Sequence, residues 1–307
     1  MSYLPKVDII ILHSKSIPCF INCLSSLDKI TYKNCTIIVV NNGSNDLTDI
    51  SKHIKHKIQV IKTPSNLGFA RGNNLGIKEA LKNRADYVLL LNDDTIVSPD
   101  FLSTLVDAGE NHPDVGMIGP KIYYFDEPRR IWFAGAKFDE QTGLMFASDS
   151  DEIGNNRKDE KLEESDYITG CALLVKRMLI DIIGLLDERF FLYWEDVDWG
   201  LRAKKAGFTN LIVPNAHIWH KVSVSTGGMD SPLRAYHKTR SHLLMAKLHA
   251  PWALNKLQRG FFRDVAWLVL KSSSKDRNKK ALAYLAAMKD YHLGRTDKGP
   301  LWLWPSN

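Results

Sequence analysis

The sequence predicts an α/β protein built on a parallel sheet with helices on both faces. Two observations lead there. In the N-terminal third, short apolar β-branched runs alternate with stretches of helical periodicity, and no hairpin turn joins them. Clusters rich in Asn and Asp follow two of those runs at their carboxyl ends, where ligands bind in open sheets of this kind.

The elements follow in order. Val7–Leu12 is a continuous apolar run and reads as a buried strand, with a helix from about Pro18 to Leu27. Thr36–Val40 is a second strand, ending in Asn41-Asn42-Gly43-Ser44, and Ile58–Ile61 is a short third. Gly68–Leu81 has helical periodicity, and Tyr87–Leu91 is a fourth strand ending in Asn92-Asp93-Asp94. From about Val115 the rhythm changes. Lys121–Ala147 reads as extended structure with a turn near Gln141-Thr142-Gly143, and Ser148–Ser165, polar and acidic, reads as a mobile loop. Cys171–Val175 is a buried strand, Arg177–Ile183 and Glu195–Ala206 are helices, and Phe208–Val213 is a last strand. Beyond Met229 the pattern is helical, broken near Pro251 and around Ser272–Asp276.

A chain of 307 residues can bury a full core, and 44% hydrophobic with 25% charged residues is ordinary for a globular protein. The net charge of +6 is unevenly spread. Residues 1–220 carry 25 Lys and Arg against 30 Asp and Glu, whereas residues 221–307 carry 16 against 5. An acidic body argues against nucleic acid as a partner, because phosphate backbones need a positive surface. The basic tail with interleaved tryptophans suits an anionic membrane surface. Cys19, Cys23, Cys35 and Cys171 contain no C-x-x-C pair, which fits a reducing cytosol. No secretory signal and no run of about 18 apolar residues is present, so the expected location is cytoplasmic, at the inner face of the cell membrane if the tail binds there.

Three constellations carry chemistry. Adjacent carboxylates in Asn92-Asp93-Asp94 repel each other unless a cation or strong donors compensate, and Mg²⁺ or Mn²⁺ takes oxygen ligands together with substrate phosphates. The plainer alternative is a solvated turn or helix cap. In Phe190-Phe191-Leu192-Tyr193-Trp194-Glu195-Asp196-Val197-Asp198, aromatics meet three carboxylates at a helix start. Burial raises a carboxylate's pKa, as a general base requires. Glu195 and Asp198 also serve as N-terminal helix charges, and Asp196 is the candidate base. Tyr193 and Trp194 offer flat faces to a sugar ring. His217 and His220 follow the last strand, without the H-E-x-x-H pattern of zinc hydrolases.

Together these stretches resemble the family 2 glycosyltransferases, in particular the rhamnosyltransferase-like branch. The resemblance runs from about Val7 to Gly228 through Val39–Ser44, Asn66–Asn74, Leu90–Thr95, Thr169–Ala172, Gly184–Glu188, Glu195–Asp198 with Arg202, and His220. It implies a GT-A fold: a Rossmann-like nucleotide-binding half (about 1–120) fused to an acceptor-binding half (about 121–228) on a mixed central sheet. A basic helical appendage, 229–307, follows. It further implies that Asn41, Asn42, Arg71, Asn92 and Asp93 contact the nucleotide, with Asn at 41 and 92 where the family usually has Asp. Asp94 and His220 would hold Mg²⁺ or Mn²⁺, Asp196 would be the base, and Gly170, Tyr193, Trp194 and Glu195 would meet the sugars. The expected reaction is inverting transfer of a single sugar from a dTDP- or UDP-sugar to an acceptor hydroxyl, on a glycan or lipid-linked glycan. Processive relatives carry Q-x-x-R-W, which Gln258-Arg259-Gly260 does not match.

Two rivals stand beside this reading. A sugar-nucleotide nucleotidyltransferase needs a glycine-rich phosphate loop after the first strand, where His13-Ser14-Lys15-Ser16-Ile17-Pro18 has no glycine. A non-catalytic nucleotide-sugar or glycan-binding module draws on the Asn residues at 41 and 92, against intact Asp94, Asp196 and His220. In the tail, Phe261, Phe262, Trp267 and Leu268 flanked by Arg259, Arg263 and Lys271 suit an interfacial helix or a helix packed on the body.

Overall fold

The computed structural model describes residues 3–14, 16–43, 46–47, 50, 54–148, 151–154, 161–222, 231–272 and 276–304. Ser44, residues 149–150 and 155–160 of the expected polar loop, the expected boundary at 228/229 and residues 273–275 lie outside them.

The core grows from four parallel strands: β1 (Val7–His13), β2 (Cys35–Asn41), β3 (Ile58–Lys62) and β4 (Tyr87–Asn92). Val7 and Ile9–Ile11 of β1 and Ile37–Val40 of β2 are wholly buried, as runs covered on both faces must be. Helix α1 (Ile17–Leu27) packs here through Phe20, Cys23, Leu24 and Leu27. Helix α2 (Gly68–Lys82) lies so close to β1 that a Cβ on Gly72 would fall 2.4 Å from Leu12, and one on Gly76 2.5 Å from Ile10.

Beyond β4 the sheet changes direction. It runs in the order β10 (Glu163–Ser165), β12 (Thr209–His220), β6 (Val115–Tyr124), β11 (Ala172–Lys176), β4, β1, β2, β3. Strand β11 (Ala172–Lys176) lies antiparallel to both β4 and β6 (Val115–Tyr124), so the sheet is mixed rather than purely parallel. Strand β6 is a central strand despite Gly116, Gly119 and Pro120, residues that ordinarily argue against one.

The last strand, β12 (Thr209–His220), is longer than expected and carries both histidines inside it. Its pairing with β6 jumps between Val213 and His217, leaving Pro214–Ala216 as a bulge, where a proline does no harm to the ladder. It also pairs with β5 (Thr95–Val97), setting His220 opposite Thr95. The expected loop ends in β10 (Glu163–Ser165), an edge strand against β12, because this polar segment gains backbone partners its own composition does not advertise. The expected turn at 141–143 joins β8 (Ala136–Asp139) to β9 (Leu144–Ala147).

The remaining elements are α3 (Phe101–Asn111), β7 (Ile131–Phe133), α4 (Arg177–Ile183), α5 (Glu195–Lys205), α6 (Pro232–His249), α7 (Leu254–Leu270) and α8 (Arg277–His292). Helix α6 is buried along much of its length, including Tyr236, His237, Leu243, Met245 and Ala246. Helix α7 buries only Leu268. Among the described residues no helix is long and apolar enough to cross a membrane.

Candidate active site

A cleft of about 670 Å³ opens at the carboxyl edge of the parallel strands. Asn92, Asp93 and Asp94 form one side. Gly170, Tyr193, Trp194, Glu195 and Asp196 form another, and His220 reaches it from β12. Stretches separated by more than a hundred residues of sequence thus share one space.

The turn after β4 splits its carboxylates. Asp93 Oδ2 pairs with His13 Nδ1 at 2.7 Å, at the end of β1, and the His13 ring stacks on Phe20 at 4.5 Å. Burial raises the Asp93 pKa; His13 opposes this shift and neighbouring Asp94 adds to it. Asp94 points the other way. Its Oδ1 is buried without a hydrogen-bond partner and faces His220 Nε2 at 3.1 Å. Strand pairing produces this meeting, since Lys221 N–H donates to the Asp94 carbonyl directly beyond His220. Burial pulls the His220 pKa down, but Cys171 and Asp94 beside it lift it to about 10. Trp132 meets the imidazole edge-on at 4.5 Å.

A carboxylate oxygen 3.1 Å from an imidazole nitrogen is a donor pair that a divalent cation takes in place of the shared proton. Among the described residues no group of three or more His, Cys, Asp or Glu could hold a metal. Asp94 and His220 are the groups here that could hold a divalent cation, the rest of whose shell would come from substrate phosphates and water.

Asp196 sits in the first turn of α5, where the helix dipole favours negative charge. Its Oδ2 accepts from Gly170 N–H and its Oδ1 from Val197 N–H, both at 2.9 Å. Burial nevertheless raises its pKa, with these amides pulling the other way. Glu195 is buried, and its Oε2 has no hydrogen-bond partner. Burial first, then the Asp196 charge, drive its pKa well above the usual carboxylate range. Gly170 is required by packing: a Cβ there would lie 2.7 Å from the Phe69 ring.

The segment before α5 is strained. Tyr193 (φ 67°) and Trp194 (φ 72°) are both left-handed, at an order-of-magnitude cost of ~1–3 kcal/mol each. Contacts from α6 hold them. Trp194 stacks on His242, whose Nε2 lies 3.1 Å from the Gly143 carbonyl. Arg234 and Lys238 stand over the Tyr193 ring at 5.9 and 5.7 Å. Asp198 anchors the same helix pair: its Oδ1 meets His249 Nε2 and its Oδ2 accepts from Arg202 Nε, both at 2.8 Å.

Three expected nucleotide contacts look different in three dimensions. Asn42 lines the cleft, but its Oδ1 accepts from Leu67 N–H at 2.8 Å and its Nδ2 donates to the Gly68 carbonyl at 3.2 Å. It therefore clasps β2 to the start of α2. Asn41 is buried with its Oδ1 near Gly43 N–H and is not in the cleft lining. Arg71 is exposed, outside the lining, and 3.6 Å from Glu188. His217 packs edge-on to Tyr123 rather than into the cleft. Sequence reasoning missed His13 as the Asp93 partner, and Trp132, Tyr167, Arg234 and Lys238 in the lining. The i, i+4 spacing of Arg234 and Lys238 shows them as neighbours on one helix face but not what that face meets.

The GT-A-type α/β scaffold sets a carboxylate turn and a second carboxylate on two sides of one cleft, and the family the chain matches makes it a glycosyltransferase. Residues 8–183 match the model of glycosyl transferase family 2, and the chain belongs to that family. It is 27% identical over 285 residues to the N-acetylglucosaminyl-diphospho-decaprenol L-rhamnosyltransferase of Mycobacterium tuberculosis, covering 84% of this chain and 91% of that one. Against the dTDP-rhamnosyl transferase RfbF of Shigella flexneri the figures are 24% over 243 residues, covering 76% and 78%. Among solved structures, GalNAc-T7 with UDP, GalNAc and Mn²⁺ superposes with a TM-score of 0.62 at 13% identity. That match covers 94% of this chain, which spans about half of GalNAc-T7 (55%).

Proposed function

We propose that this glycosyltransferase moves one rhamnosyl residue, with inversion, from dTDP-rhamnose to a hydroxyl of a glycan carried on a lipid diphosphate, at the inner face of the cell membrane. The observation that carries the reading is the opposed pair of sites in one cleft: Asp94 with His220 on one side and Asp196 on the other. The names of the two rhamnosyltransferase relatives support the donor and acceptor classes. The reading keeps residues 1–228 as the catalytic part, nucleotide side to about 120, and 229–307 as an appendage.

Asp94 and His220 would hold Mg²⁺ or Mn²⁺, and the Mn²⁺ in the GalNAc-T7 complex supports that choice. When bound, the ion supplies Lewis-acid neutralisation of charge on the departing diphosphate. Asn92 and Asp93 face the nucleotide, with His13 fixing the Asp93 carboxylate. Asp196 takes the proton of the acceptor hydroxyl as that oxygen attacks the anomeric carbon from the face opposite the diphosphate. Its raised pKa makes it a stronger base than a free aspartate, and the Gly170 and Val197 amides aim it. Tyr193 and Trp194 offer ring faces to the sugars, and Glu195, its pKa raised by burial, lines the cleft beside them.

Donor turnover across a panel of sugar nucleotides, with Mg²⁺, Mn²⁺ or chelator and with a lipid-diphosphate glycan present, tests the proposal. Metal-dependent consumption of dTDP-rhamnose alone is the expected result. Turnover of another donor would overturn the sugar, and binding without turnover of any donor would overturn the reaction.

A further inference from the structure

One wall of the catalytic cleft comes from the segment that follows α8. Trp304 lines the cleft beside Phe191 and Leu233, more than a hundred residues beyond Asp196 in sequence. A chain of contacts fixes it there. Arg240, buried in α6, donates from Nη1 to the Asp297 carbonyl at 2.6 Å and to Tyr236 Oη at 3.2 Å. Tyr236 Oη in turn donates to Asp290 Oδ2 of α8 at 2.7 Å. Gly299 is left-handed (φ 75°), and a Cβ there would fall 2.4 Å from the Tyr236 ring. Leu303 then packs with Leu233, Tyr236, Ala283 and Ala287, and the Trp304 indole N–H donates to the Lys298 carbonyl at 2.9 Å. The segment is thus clasped to α6 and α8 on its way back to the cleft.

The indole meets two rings there. Phe191 and His237 each stand edge-on to it with centroids 6.0 Å away, and they stack on each other at 5.1 Å. Burial, then the Arg240 charge, pull the His237 pKa down to about 3, so a neutral ring backs the wall. With its N–H already bonded, Trp304 offers the cleft apolar ring surface. Such a surface suits the C–H face of a sugar and does not suit a phosphate. Phe191 lies five residues before Asp196, and Leu233 and His237 belong to α6. The wall is therefore built from elements around Asp196, with no residue from the Asn92–Asp94 turn among them.

We propose that Trp304 is a specificity-determining residue for the acceptor: its ring packs on the acceptor glycan as the reacting hydroxyl approaches Asp196. The inference rests on the proposed role of Asp196 as the acceptor-side base. It gives α6 and α8 a part in choosing the substrate, through one side chain carried on a clasped segment.

The test is steady-state kinetics of the full chain, with dTDP-rhamnose and N-acetylglucosaminyl diphosphofarnesol each varied, for wild type, W304F and W304L. Leucine keeps apolar bulk in the wall and removes the flat ring. W304L should raise the acceptor KM about tenfold and leave the donor KM within about twofold, while W304F keeps the acceptor KM near wild type because a ring face remains. An unchanged acceptor KM in W304L would overturn the proposal, as would an equal rise in W304F and W304L. A rise confined to the donor KM would overturn it by placing Trp304 on the nucleotide side. Wild type separates this claim from the reading beneath it. Transfer to water-soluble glycans alone sinks the lipid-linked acceptor, and the same KM comparison on those glycans still decides the role of Trp304.

Discussion

Trp194 and His242 stack with ring centroids 4.1 Å apart and planes 12° from parallel. The first residue is held left-handed at the start of α5; the second belongs to α6. The stack ties the strained residue beside Asp196 to α6, and both lie beyond the residues 8–183 that match the family. His242→Ala should cost about 1 kcal/mol of stability from the lost aromatic pair. It should also raise the acceptor KM more than the donor KM, which steady-state kinetics with each substrate varied would show.

Asp196→Asn should lower kcat by roughly 10²–10⁴-fold, the usual contribution of a positioned base, while donor binding by calorimetry stays within error. Because burial raises the Asp196 pKa, the base is active above a pKa higher than that of free aspartate. Activity should therefore fall as pH is lowered through that raised value. A kcat/KM profile flat down to about pH 4, the ordinary aspartate range, would remove Asp196 from the role.

Glu195 gives a stability signature with a definite sign. A carboxyl whose folded pKa lies above its unfolded value takes up a proton on folding, so its destabilising effect grows as pH rises from the unfolded pKa to the folded one. Glu195→Gln removes the titration and should gain stability over wild type as pH is raised above the ordinary glutamate range toward the raised folded value. Thermal melts of both proteins across that window would detect it, and parallel curves would show that Glu195 does not titrate on folding.

Asp94→Asn and His220→Gln should each weaken Mn²⁺ binding in the presence of dTDP by about tenfold or more, because even lost outer-shell partners cost that much. Nucleotide binding without metal should change little. Electron paramagnetic resonance of free Mn²⁺ reads the difference directly.

Gly170→Ala places a methyl 2.7 Å from the Phe69 ring. Overpacking there should cost roughly 1–3 kcal/mol and, by displacing the amide that holds Asp196 Oδ2, reduce kcat as well. Chemical denaturation together with kinetics would show both losses.

Much of this was legible in the chain. The apolar runs of β1, β2 and β4 announce buried strands, and Asn92–Asp94, Gly170, Tyr193–Asp196 and His220 do line one cleft. Strand β6 was not legible, because Gly116, Gly119 and Pro120 mask it locally while sheet pairing on both sides overrides the propensity. The extension of β12 past Pro214 was hidden for a related reason: a bulge absorbs the proline, and no periodicity signals it. Asn41 and Arg71 were selected by position in a motif, which does not encode side-chain direction. Arg234 and Lys238 were hidden by distance in sequence, since nothing local to α6 says which of its faces meets Tyr193.

Strand β11 runs against both of its neighbours, so it begins at the edge where β4 ends, and Asn92 N–H donates to the Cys171 carbonyl at 2.9 Å. That reversal makes the enzyme modular in a particular way. The chain reaches β11 from β10, at the far edge of the same sheet, so length changes ahead of β10 leave the seam between Asn92 and Cys171 in place. Under the proposed roles, acceptor preference would diversify through loop length on one scaffold while the donor side stays in register.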